Sequence, residues 1–133
     1  MKYIEKEFTI HLKEKITNIE QKLQHVSAFL LQTYTPLFSE KNMELFIEFE
    51  KKNNNPFDIG YESLILLEVT DENGDMIDFY QIPIWECKMY FLGLPISVKI
   101  PGSKVIGELI DESEQEIELE LENHLEEVLS ISA

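Results

Sequence analysis

The chain contains no arginine. Arg is the usual side chain for bidentate recognition of phosphate and carboxylate, so basic chemistry here rests on eleven Lys and three His, set against twenty-six Asp and Glu and a net charge of −15. Such a field repels nucleic acid and anionic membranes, and no basic stripe interleaved with aromatics offsets it. Cysteine is nearly absent as well. Cys87 alone allows no internal disulfide, which points to a reduced, cytoplasmic setting. Long apolar runs are missing. Met89 to Ile96 is the longest, interrupted by Gly93 and Pro95, and is far too short to span a bilayer. The opening residues, Met1-Lys2-Tyr3-Ile4-Glu5-Lys6-Glu7, mix charges and lack the apolar core of a signal peptide. No P-loop, G-x-G-x-x-G or G-x-S-x-G occurs, so no catalytic motif is present.

The composition that remains is globular. Hydrophobic residues make up 44% of the chain, enough for one α+β domain over residues 1–133 that buries about two-thirds of its unfolded surface. Phe8, Ile10 and Leu12 alternate with polar residues and suggest a short strand. Leu12, Ile16, Ile19, Leu23, Val26 and Leu30 then recur at three and four, which predicts an amphipathic helix over about 13–33, ending before Pro36. Met43, Leu45, Ile47 and Phe49 alternate with Glu44, Phe46, Glu48 and Glu50, the pattern of a half-buried strand. Leu64–Val69 reads as a more central strand. Asp71-Glu-Asn-Gly-Asp75 reads as a hairpin turn leading into a strand that runs to Pro83, with further strands at Trp85–Phe91, Ile96–Ile100 and Val105–Ile110. The segment from Leu109 to Leu119 echoes the first hairpin, as shared turn chemistry and not as a repeat.

The C-terminal segment fits two periods. Ile117, Leu119 and Leu121 alternate with Glu116, Glu118, Glu120 and Glu122, which favours a strand at 116–122 followed by a short helix at 124–131. Alternatively, a single helix puts Ile117, Leu121, Leu125, Val128, Leu129 and Ile131 on one face, displaces only Leu119, and gives Ser113 and Glu116 a capping box. The expected architecture is therefore a mainly antiparallel sheet of five to six strands, the long N-terminal helix packed on one face, and a short helix at the C-terminus.

Few residues suggest chemistry. Asp71, Asn73 and Asp75 have the first spacings of a calcium loop, but Gly74 falls two residues early and position twelve is Ile82. His11, His25 and His124 are scattered without a zinc spacing, and Cys87 sits in a strand-core context, so no metal or cofactor is expected. The acids are the remaining signal. Asp111, Glu112, Glu114, Glu116, Glu118, Glu120 and Glu122 crowd one segment. In the strand reading, the four Glu from 116 to 122 project from one face about 7 Å apart. This favours a non-enzymatic protein-binding domain with a basic protein partner, in its sharpest form an inhibitor or immunity-type protein that neutralises a toxin or nuclease. The alternatives are a small ligand-binding or enzymatic domain, with a pocket between sheet and helix lined by residues such as Tyr80, Trp85 and Tyr90, and an oligomeric structural adaptor.

Overall fold

A computed structural model describes residues 1–131. The fold is α+β, with two helices on an antiparallel sheet of six strands. Strand β1 (Lys2–Ile4) leads through a single 3-10 turn into helix α1 (Ile10–Ser39); β2 (Glu44–Lys52), β3 (Glu62–Thr70), β4 (Met76–Phe91), β5 (Leu94–Ile96) and β6 (Lys104–Leu109) follow, and α2 (Glu114–Ile131) ends the described chain. The strand order is β1-β6-β4-β3-β2, with β5 paired to β4. The β2–β3 and β3–β4 links are shorter than the dozen or so residues a parallel crossover needs, and β1–β6, β4–β5 and β4–β6 are antiparallel in register. No helix among the described residues is long and apolar enough to cross a membrane.

Several expected boundaries move. The strand expected at Phe8–Leu12 lies earlier, at Lys2–Ile4, because Thr9 caps α1: its Oγ1 accepts from Leu12 N at 3.3 Å and its carbonyl from Lys13 N at 3.0 Å. Helix α1 does not end at Thr33. It runs through Pro36 to Ser39, although an internal proline costs about 3 kcal/mol. Two anchors straddle that proline, Tyr34 and Phe38, both buried. The stop signal is Asn42. It adopts φ +57°, while Asn42 N donates to the Ser39 carbonyl and Met43 N to the Phe38 carbonyl, each at 3.0 Å. This is the Schellman pattern.

The expected strand at 116–122 is also wrong. Residues 114–131 form one helix, begun by Ser113, whose Oγ accepts from Glu116 N at 3.2 Å. Burial separates the two periods: Ile117, Leu121, Leu125, Val128 and Leu129 point inward, while Leu119 is 56% exposed. The echo of the first hairpin at 109–119 is therefore a loop and the first turns of a helix. Finally, the segments either side of Pro83 are one sixteen-residue strand, β4. Its alternation slips where Ile84 and Trp85 are both buried. The slip follows Pro83, which has no N–H for the ladder.

The chain forms two compact units. The first comprises Met1–Glu20, Glu50–Leu64 and Pro83–Asp111. Its core gathers Leu12, Ile16, Tyr61, Cys87 and Leu109 around Trp85, with Tyr3, Phe8 and Phe57 packed against them. Trp85 Nε1 donates to the Pro56 carbonyl at 2.6 Å, and Phe8 and Phe57 stack at 4.7 Å with their edges toward the indole. Tyr61 donates to the buried carboxylate of Glu20 at 2.6 Å.

The second unit comprises Gln21–Phe49, Ile65–Ile82 and the chain from Glu112 onward. The buried inward residues of its strands are Leu45, Ile47, Ile65, Leu67, Val69 and Ile82. Tyr34 donates to Glu126 at 3.0 Å, and Lys41 Nζ donates to the Leu129 carbonyl at 2.6 Å near the α2 C-terminus, where a cation is favoured.

Candidate functional site: the acidic second unit

Charge divides unequally between the units. The first holds nine Lys and ten acidic residues, net −1; the second holds only Lys22 and Lys41 against sixteen acids, net −14. The acidity belongs to the second unit.

Six of the seven acids singled out in the sequence, Glu112 to Glu122, lie there, but they do not form one face. A helix turns 100° per residue, so Glu116 shares a side with Glu120, and Glu118 with Glu122. Glu112, Glu118, Glu120 and Glu122 are half-buried, while Glu114 and Glu116 are exposed. Asp111, in the first unit, binds the Met1 ammonium at 2.7 Å.

Several of these acids are already engaged. Tyr80, on the inward side of β4, donates to Glu120 Oε2 at 2.7 Å. Glu112 also shares a hydrogen bond with Glu120, and this bond, then burial and the Glu120 charge, raises the Glu112 pKa. One ring away, His124 Nε2 lies 2.6 Å from Asp78 Oδ2, and the imidazole stacks on Tyr80 at 4.3 Å. The Glu120 bond, followed by burial, pushes the Tyr80 hydroxyl up to about 12. This network fastens α2 to β4. Its carboxylates are turned toward the protein's own tyrosines and histidine.

What faces solvent is the opposite side of the strands. In β2 the inward residues are Leu45 and Ile47, so Glu44, Phe46 and Glu48 project outward. In β3 Leu66 and Glu68 do so, and in β4 Ile77 and Phe79. Phe46 is 40% exposed, Ile77 45% and Phe79 47%. Apolar side chains half in water, interspersed with Glu44, Glu48 and Glu68 on the same side of the strands, combine the two ingredients of a protein interface, exposed apolar surface and charge. The face ends at β2, an edge strand. Phe46 was visible in the sequence as the aromatic on the acidic side of an alternating strand. Ile77 and Phe79 were not, because the phase of β4 is ambiguous around Pro83.

The other sequence candidates are occupied locally. Asp71 Oδ1 accepts from Asn73 N at 2.9 Å and Asp75 N at 3.0 Å, so the would-be calcium ligand holds the hairpin turn. Among the described residues, no three His, Cys, Asp or Glu side chains are arranged to hold a metal. Cys87 is fully buried and its thiol donates to the Phe57 carbonyl at 3.5 Å; burial pushes it up to about 11. Of the three aromatics expected to line a pocket, Trp85 fills the core of the first unit, Tyr80 is locked to Glu120, and Tyr90 lies on the outer side of β4. Comparison of the chain with protein-family models, with curated proteins and with solved structures finds no match in any of the three.

Proposed function

We propose that this protein is a non-enzymatic binding protein that docks on a basic partner protein through the open sheet face of its acidic unit. In its sharpest form it is an inhibitor or immunity-type protein that caps a basic toxin or nuclease. The observation that carries the reading is the placement of Phe46, Ile77 and Phe79 in solvent on a unit of net charge −14. The exposed aromatic side chains supply affinity. The surrounding charge speeds encounter and rejects acidic partners. Self-association through the same face is disfavoured, since two such units would bring like charges together.

The test uses a basic partner recovered by its co-purification and then studied as a pure pair. Phe46→Ala with Phe79→Ala should weaken binding by roughly 100-fold, as expected when two anchors are truncated, with the melting temperature held. Glu44→Gln with Glu48→Gln should slow association at low salt and leave dissociation nearly unchanged. Glu114→Gln with Glu116→Gln, on the exposed side of α2, should do neither. Weakening by the α2 pair alone would move the interface to the helix. A wild-type dimer in light scattering that the phenylalanine variant abolishes would replace the reading with a structural, oligomeric one.

A further inference from the structure

The lysines thinly spread in sequence are gathered by the strand register of the first unit. On the outer side of β1, β6 and β4, Lys2 stands opposite Glu108, Lys88 opposite Ile106, and Lys104 opposite Tyr90. These residues line a groove of about 420 Å³, a volume within the range of small-molecule sites. Adjacent strands lie about 4.8 Å apart and alternate residues along a strand about 6.8 Å apart, so Lys88 and Lys104 rise roughly 8 Å from one another. Their flexible four-carbon stems let both ammonium groups close on one ion.

The groove is polarised along its length. Glu86 and Glu108 face each other at one end. The other end is formed by Tyr90, Lys104, Gly93 and Gly102 and has no acid in its lining. Half-buried Ile106 lies between them and, with half-buried Tyr90, provides an apolar floor. Lys88 is oriented by Glu86 at 3.3 Å and Glu62 at 3.6 Å. Burial works against its charge, and the carboxylates of Glu86 and Glu62 outweigh that effect, so its pKa is raised and it stays cationic. The wall is a tight turn, with Leu92 at φ +50° and Gly93 at φ +80°, joining β4 to β5. Both central residues have the positive φ of a type I′ hairpin, a rigid connection. Leu92 stands at the rim, 85% exposed.

We infer that this groove binds a small anion carrying an apolar or aromatic body, a carboxylate or phosphate ester whose charged head lies between Lys88 and Lys104 and whose body lies on Tyr90 and Ile106. The first unit, to which every lining residue belongs, carries a net charge of only −1.

The experiment is an amide-resolved NMR titration of the full chain with phenyl phosphate, benzoate, inorganic phosphate and benzylamine. Phenyl phosphate and benzoate should give saturable shifts at millimolar concentration, concentrated at Tyr90, Gly93, Gly102 and Lys104. Inorganic phosphate, lacking a body, should bind several-fold more weakly at the same amides, and benzylamine should leave them unmoved. Lys104→Gln should weaken phenyl phosphate by about fivefold and Lys88→Gln with Lys104→Gln by more than tenfold, as expected for loss of charge-assisted contacts, while Lys22→Gln changes nothing. No saturation by about 20 mM, the upper end expected of so small a ligand, would overturn the inference. So would equal shifts from benzylamine, or undiminished binding by a folded Lys88→Gln, Lys104→Gln variant.

Discussion

The two units are built from stretches of the same elements, α1, β2, β3 and β4, yet they differ in almost everything else. The first closes an aromatic core on Trp85, holds nine of the eleven lysines and is nearly neutral. The second packs two helical faces and alternating strands, mostly aliphatic, and carries nearly the whole net charge. A chain-wide net charge of −15 therefore describes neither unit. Repulsion of anions is a property of one, and the capacity to hold one belongs to the other. Their glycines differ too. Gly107 is required for space: a Cβ there would sit 2.0 Å from the Trp85 ring. Gly74 is required for conformation: φ is +83° and nothing lies within 4 Å of an added Cβ.

The largest expected effect follows from the first glycine. Gly107→Ala should destabilise by about 3 kcal/mol or more, because the ring is held by its bond to Pro56 and by three aromatic neighbours and cannot yield without strain. Urea unfolding followed by Trp85 fluorescence reads it directly; a loss under about 1 kcal/mol would mean the core is looser than its packing implies. Gly74→Val should cost less, about 1–2 kcal/mol, all of it backbone strain in a turn that is otherwise open. Gly74→Asn should recover most of that loss, since Asn tolerates the left-handed region. Equal losses for Val and Asn would show that something other than φ is at stake.

Alkali should act on both units in sequence. Burial, then the Glu5 and Asp58 charges, push the Cys87 thiol up to about 11; in the second unit Tyr34, by burial and then its Glu126 bond, and Tyr80 are pushed up to about 12. In each case the fold favours the neutral form. The stability contributed is complete below the unfolded pKa and is lost as pH rises through the folded one. Urea midpoints should therefore fall from about pH 8.5–9, with the thiol, and more steeply from about pH 10, with the phenols. In Cys87→Ala the decline should begin roughly one unit later than in the parent. A profile flat to pH 11 would mean these groups are solvated.

The smallest effect concerns Glu112. Its raised pKa means that ionisation beside Glu120 opposes folding at neutral pH and that this cost disappears as pH falls through the folded value. Glu112→Gln should leave stability at pH 7 level or raise it by a few tenths of a kcal/mol, with the gain vanishing in acid. A clear loss at pH 7 would show that Glu112 is paired with a cation.

Several segments that carried one period were legible, although the strand expected at Ile96–Ile100 lies instead at Leu94–Ile96. The α1 stripe, the acid-faced β2 and the Asp71–Asp75 turn all follow from residue spacing, and the α+β class follows from them. Helix ends were less legible. Pro36 looks like a stop, but a local propensity of a few kcal/mol yields to the burial of Tyr34 and Phe38 and to the cap at Asn42. Residues 116–122 satisfied both periods, with Leu119 the only discriminator. The exposed apolar side of the second unit's strands was half visible, through Phe46. The groove was not visible at all, because Lys2, Lys88 and Lys104 meet only through the register of strands far apart in sequence.

The burial of Cys87 has a consequence for reactivity. The thiolate is the form that attacks alkylating agents, peroxides and other disulfides. A thiol fully enclosed, donating to a carbonyl and held at about 11, offers almost none of it at neutral pH. In the folded chain the Cys87 thiol is consequently a poor target for oxidation and for cross-linking. Any modification of Cys87 must pass through an opened state, so its alkylation rate is a clock for the opening of the first unit, with nothing added to the protein.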